Sequence, residues 1–259
     1  MLIDSHCHLP HPKYKKSSKD IINDAKDAGV TRLINIGTSV ENNLEVIKVS
    51  TEYENVYSAV AVYPHEDTDK SLDFLRDTLD GQLSLSNKIV AVGECGLDIG
   101  QWEGGRHVED QISLFEMQLE LAVRHKLPVV IHNRNGDDRI MDILDKFARQ
   151  NVIGVAHCFS SSWDVAQKYL DRGFFLSFSG MFTYKARAKL QEIVKKVPLD
   201  RFLLETDAPY LPPEGFRGQP NEPKNVVEVA KKFAEIRGLE FDKVADLSYS
   251  NTCRLFGIN

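Results

Sequence analysis

Apolar residues along this chain fall into two rhythms. Short continuous runs recur at residues 2–3, 32–37, 56–62, 89–93, 128–131, 152–156, 174–178 and 202–204. Between them lie longer charged stretches with apolar residues at helical spacing, as at 20–28, 108–125 and 226–236. Continuous apolar character suits strands buried on both faces, the condition of a parallel sheet, and strands alternating with helices specify βαβ units. Helix-stop residues follow the helical stretches: Gly29 closes the first, Pro128 lies beyond the second, and Arg237-Gly238 closes the third. Eight such units average about 32 residues each, the scale of a βα repeat. The pattern predicts one α/β domain over residues 1–259, a (β/α)8 TIM barrel. No Gly-x-Gly-x-x-Gly follows a strand, which argues against a dinucleotide-binding open sheet. The longest irregular stretches, 98–106 and 207–223, follow strands, and in a barrel such loops lie on the face where sites are built.

Composition narrows the function classes. At 42% hydrophobic and 27% charged residues the chain is neither a disordered tail nor a membrane protein. Its 32 basic and 38 acidic residues give a net charge of −6, against the broad basic footprint of sequence-independent nucleic-acid binding. Any anionic substrate must be gripped by a few local cations. The four cysteines, Cys7, Cys95, Cys158 and Cys253, form no close pair, which suits free thiols in a reducing compartment. An acid and a histidine interrupt the first residues before any signal-length apolar run, so a cytoplasmic location is expected, with no membrane contact and no obligate protein partner.

The predicted strand ends carry the chemistry. His6 and His8 follow the first strand, Glu94 the fourth, His132 and His157 end the fifth and sixth, and Asp207 follows the eighth. Singly, each has an ordinary reading: a chance His-x-His, a helix-capping carboxylate, a hydrogen-bonded core histidine, a turn aspartate. Together they put six metal-competent side chains around one barrel axis. His6 and His8 share a side of an extended strand, with Cys7 turned away. Glu205 shares the strand face of Asp207, but only Asp207 reaches the rim. His11, His107 and His125 fit loop or helix positions.

The chain resembles the TatD-like deoxyribonucleases, metal-dependent hydrolases of the amidohydrolase superfamily, over residues 3–256. The segments that carry the resemblance include Ile3-Asp4-Ser5-His6-Cys7-His8-Leu9, Val92-Gly93-Glu94-Cys95-Gly96-Leu97-Asp98, Val129-Val130-Ile131-His132-Asn133-Arg134, Ala156-His157-Cys158-Phe159-Ser160 and Leu204-Glu205-Thr206-Asp207-Ala208-Pro209. The resemblance implies a (β/α)8 barrel whose metal ligands are His6, His8, Glu94, His132, His157 and Asp207. It further implies a deoxyribonuclease that hydrolyses phosphodiester bonds from a 3′ end with a metal-activated water, with DNA ends or single strands as substrate. Two divalent ions, zinc, magnesium or manganese, are expected: one on His6, His8 and Asp207, the other on His132 and His157, with Glu94 bridging. Asp207 would orient the water and take its proton. The alternative is a dinuclear amidohydrolase acting on a small amide, lactam or ester. Arg134 and Arg217, on rim loops, are candidate phosphate contacts, as is His65. The family's usual Gly-x-His-Pro-His reads here Ala61-Val62-Tyr63-Pro64-His65, so Tyr63 stands where a histidine is expected, and the loop 99–106 also diverges.

Overall fold

Parallel pairing between consecutive strands organises the whole chain. A computed structural model describes residues 1–258, so the last residue of the predicted 1–259 span lies outside the described part. The order is β1 (Leu2–Cys7), α1 (Ser18–Asp27), β2 (Val30–Ile36), α2 (Val40–Glu52), β3 (Val56–Val60), α3 (Leu72–Gln82), β4 (Ile89–Asp98), α4 (Val108–His125) and β5 (Val129–Arg134). It continues through α5 (Asp137–Lys146), β6 (Gly154–Ala156), α6 (Trp163–Asp171), β7 (Phe175–Phe178), α7 (Ala188–Lys196), β8 (Phe202–Leu204), α8 (Val226–Arg237) and α9 (Phe241–Phe256). The eight strands pair in sequence order. The two edges approach where the Ser5 hydroxyl donates to the carbonyl of Leu204 and Cys7 bridges Ala208 in parallel. The sheet is thus a nearly closed barrel with helices outside, as the sequence predicts.

Serine side chains start several of the helices. Ser17, Ser39, Ser71 and Ser162 each accept the amide three residues on, at the heads of α1, α2, α3 and α6. Two buried layers result. Ile3, Ile34, Ile36, Ala59, Ala91, Val130, Val155, Phe175 and Leu203 fill the barrel interior, and Leu255, Phe256 and Ile258 join them. This plug lies where the strands begin, because the Arg254 guanidinium sits 5.3 Å from the ring of Phe175, the first residue of β7. With one end filled, polar side chains are left the other. The second layer packs between strands and helices, with Phe202 and Phe233 stacked at 4.2 Å.

Strand boundaries differ from the sequence expectation at every strand but β8, and most at β1, β4 and β5. β4 does not stop before Glu94 but runs to Asp98, because Gly96, Leu97 and Asp98 pair with His132, Asn133 and Arg134. Glu94 and His6 therefore lie within strands, not after them. Among the described residues no helix is long and apolar enough to cross a membrane.

Candidate metal centre

The inward aim of the six predicted side chains has two local origins. In β5, β6 and beyond β8, plain alternation is enough: Val130, Val155 and Leu203 face the interior, and two residues on from each come His132, His157 and Glu205, with Asp207 two further. In β1 and β4 alternation alone would fail. Ile3 and Ala91 face inward, so His6 and Glu94, three residues on, would point out. An extra residue intervenes in each: between Asp4 and Cys7 against β2, and between Gly93 and Cys95 against β5. These shifts send Cys7 and Cys95 to the outer layer and turn His6, His8 and Glu94 inward. Just past the second shift, Gly96 has φ +139°, and any side chain there would collide with the carbonyl of His132.

Around Glu94 the six groups meet. Its Oε1 lies 2.7 Å from His132 Nδ1 and 3.0 Å from His157 Nε2, while its Oε2 lies 3.4 Å from His6 Nε2 and 3.9 Å from His8 Nε2. Asp207 Oδ1 stands 3.6 Å from His6 Nε2 and 3.5 Å from His8 Nε2. Three clusters of potential metal ligands result among the described residues, each with its donor atoms within 4.8 Å of one another: His6, His8, Asp207; Glu94, His132, His157; and, deeper, His6, His157, Glu205. Asp207 is held by its amide, which donates to the His6 carbonyl, and its φ of +57° puts it in the left-handed region.

A second layer of groups fixes which imidazole nitrogen faces the centre. His8 Nδ1 donates to the Ile36 carbonyl at 3.0 Å; a carbonyl only accepts, so Nε2 keeps its lone pair inward. His132 Nε2 lies 3.3 Å from Asp98 Oδ2, leaving Nδ1 for the centre. His157 Nδ1 lies 3.4 Å from Glu205 Oε1. Glu205 also accepts the Cys158 amide on Oε1 and the Ser177 hydroxyl on Oε2, both at 2.6 Å. Glu205 thus stands behind His157, its charge facing the ring nitrogen turned away from Glu94.

The electrostatics match a cation site. Burial pushes Glu94 up, but His157, His132 and His6 outweigh it and hold the carboxyl well below the usual range. Asp207 is likewise lowered, burial being outweighed by the hydrogen bond to His8 and the charge of His6. Burial opposes the charged form of His157, yet Glu94 and Glu205 raise it well above the ordinary imidazole value. His8 and His132 are also raised, against burial, by Asp207 and by Asp98 with Glu94. His6 moves down, from burial and from His157. The carboxylates thus demand positive charge between them, which protons supply when cations do not. Lone pairs of mixed nitrogen and oxygen type, converging and externally oriented, fit divalent metal ions.

Above this floor opens a cavity of about 940 Å³ lined by His8, Glu94, His132, His157 and Asp207. Arg134, half exposed, lines it and lies 3.4 Å from Asp98. His65 and Arg217 stand apart from the lining: both ring nitrogens of His65 are engaged, by the Asp98 carbonyl and the Arg106 amide, and the Arg217 guanidinium lies 4.9 Å over the ring of Tyr184.

Sequence reasoning missed several participants. Asp98 is fully buried, taking the Tyr63 hydroxyl at 2.5 Å, and its carboxyl falls to about 2 because burial is outweighed by His132 and Tyr63. Tyr63 Oη also lies 3.2 Å from His132 Nε2, so the residue at the divergent position braces Asp98 and His132 from the cavity side. Glu205 was weighed only as a substitute for Asp207; the apolar run 202–204 leading into a carboxylate was the signal for a buried partner. Arg187, His11 and Trp102, all on the cavity wall, had no motif to announce them.

Comparison with known proteins extends these findings. The family described as TatD related DNase matches residues 3–257. The chain is 34% identical over 262 residues to YabD of Bacillus subtilis (strain 168), an uncharacterized metal-dependent hydrolase, with complete coverage of both chains. It is 34% identical over 259 residues to the Escherichia coli (strain K12) metal-dependent hydrolase YjjV, covering 99% of this chain and 98% of that one. The crystal structure of that TatD homolog superposes with a TM-score of 0.92 at 33% identity, covering 100% and 98% of the two chains. The phosphotriesterase homology protein of Escherichia coli shares the fold more distantly, with a TM-score of 0.71 at 16% identity.

Proposed function

This chain belongs to the TatD-related DNase family of metal-dependent hydrolases, and from that premise we propose that it hydrolyses phosphodiester bonds at DNA ends with a pair of divalent ions. The observation that carries the two-ion reading is the division of Glu94, with one oxygen toward His132 and His157 and the other toward His6 and His8. A carboxylate shared in this way would suit a pair of divalent ions, which can supply Lewis-acid stabilisation for a displacement at phosphorus.

His6, His8 and Asp207 would hold one ion and His132 and His157 the other, with Glu94 between. Imidazole-rich ligation favours zinc or manganese over magnesium, which prefers oxygen. Such ions acidify water and offset charge on a phosphoryl oxygen. The protein's own groups do the rest. Asp207, its side chain 14% exposed, reaches the cavity and receives the proton of the attacking water. Asp98 and Glu205 keep His132 and His157 in the tautomers that face the centre. Arg134 and Arg187, on the cavity wall, pair with phosphate oxygens through forked donors. The burial of Asp98 against Arg134 restrains that guanidinium on the rim.

A chain with net charge −6 has no broad stripe for a duplex, so a strand end entering the cavity is the form of DNA that fits. The test is a turnover screen of the metal-reconstituted protein on 3′-labelled single-stranded DNA, on duplex DNA, and on a panel of small amides, lactams and esters. The expected result is stepwise release of nucleotides from the single-stranded 3′ end. Turnover confined to the amide panel would replace this reading with the amidohydrolase one.

A further inference from the structure

The metal-facing floor of the cavity accounts for bond cleavage, but its aromatic wall has no part in that chemistry. Trp102 is 47% exposed and lines the cavity, an unusual position for the largest apolar side chain. Its indole stacks on the His65 ring at a centroid distance of 4.7 Å and an interplanar angle of 29°, and it meets the Tyr63 ring edge-on at 6.3 Å.

The backing of this indole is fixed. His65 is pinned at both nitrogens, by the Asp98 carbonyl at 3.0 Å and the Arg106 amide at 3.2 Å. The Arg106 guanidinium in turn donates to the carbonyls of Pro64, Glu66 and Asp67. Gly105 lets the two rings close: a Cβ there would come within 2.6 Å of His65 Nδ1 and 2.7 Å of Trp102 Cβ. A ring pre-ordered on one side loses little entropy when a second planar group covers the other.

Arg134 adjoins the same ring. A Cβ on Gly100 would lie 3.4 Å from Trp102 Nε1 and 3.5 Å from Arg134 Cδ, so indole edge and arginine stem flank one point of the rim. Glu45 and Glu66 also line the cavity and disfavour an anion beside them. A ligand with a planar ring beside a phosphate matches this arrangement: ring on Trp102, phosphate toward Arg134.

We propose that Trp102, backed by His65, is a stacking platform for the nucleobase of the DNA end held in the cavity. This rests on the DNA-end reading above. Stacking tolerates any base, because every base offers a π face, so the platform selects for the presence of a base and not for its identity. His65 thereby serves substrate binding through Trp102 and not by its own contact.

The experiment uses metal-free protein, so binding is read without turnover, in a Trp163→Phe background that leaves Trp102 as the sole indole. Short single strands ending in a normal 3′ nucleotide or in an abasic analogue are titrated by fluorescence quenching and by calorimetry. The base-bearing end is expected to quench Trp102 and to bind about ten- to a hundredfold tighter than the abasic end. Trp102→Ala, read by calorimetry, should erase that ratio, and Trp102→Phe should keep most of it. Trp102→Ala that leaves the ratio intact, or weakens both ends equally, overturns the platform. If both ends bind and are cleaved alike by the loaded parent protein, the platform fails while the DNA-end reading stands. Failure to bind or cleave any DNA end overturns both.

Discussion

Replacing Glu94 by alanine is expected to empty the metal position of His132 and His157 and to cut turnover severely. Glu94 is the only described carboxylate that contacts all four inward imidazoles, through Oε1 on one side and Oε2 on the other. Without it His132 and His157 lose their shared anionic partner, and the remaining cluster of His6, His8 and Asp207 keeps three donors for a single ion. A Lewis-acidic ion contributes several kcal/mol to the transition state, so turnover should fall by about 10³-fold or more. Glu94→Gln separates charge from shape: the volume is kept, but one oxygen becomes a donor that repels a cation. Metal content by mass spectrometry, with circular dichroism to show that the barrel persists, reads both variants. A Glu94→Gln protein with parental metal content and turnover would remove Glu94 from the centre.

Asp207→Asn is expected to behave differently, losing the reaction before it loses the metal. The asparagine retains an oxygen near His6 and His8, and the backbone hold through the His6 carbonyl is untouched. What disappears is the basic carboxylate that, on the proposed mechanism, receives the proton of the attacking water. Loss of a positioned general base costs about 10²–10⁴-fold in rate. Turnover on a DNA end should fall within that span, while bound metal and melting temperature stay close to the parent. Near-parental turnover in Asp207→Asn would make this aspartate a ligand alone.

How much of this was legible in the sequence depends on which strand is considered. Helix α4 runs over the predicted 108–125, because an amphipathic stretch between His107 and the left-handed Lys126 has clear ends. The barrel followed from eight two-sided apolar runs. His132 and His157 continue strands whose alternation is unbroken, so Val130 and Val155, two positions earlier, already indicated their face, and Leu203 did the same for Glu205. His6 and Glu94 were found by residue type at a strand end, since the extra residues in β1 and β4 leave no trace in an apolar run. Counting alternation from Ile3 or Ala91 would have aimed both outward.

The layer behind the metal-competent side chains was harder to read. Asp98 and Glu205 act through buried contacts to His132 and His157 from residues far away in sequence, and nothing local distinguishes such a carboxylate from a turn residue. Tyr63 was visible only as a departure, and its place between Asp98 and His132 needed the fold. Arg217 and His65 lie on loops at the rim, but which loop side chains line the cavity depends on local pairing. Arg217 lies on Tyr184 and His65 supports Trp102.

On the proposed mechanism hydrolysis needs two ions, with Glu94 contributing to the hold on each. The most direct measurement is a titration of the metal-free protein with zinc or manganese, following bound metal and cleavage of a 3′-labelled single strand in the same samples. Binding is expected to saturate near two ions per chain, with activity completed only as the second position fills. Full activity at one ion per chain, unchanged by further metal, would contradict it.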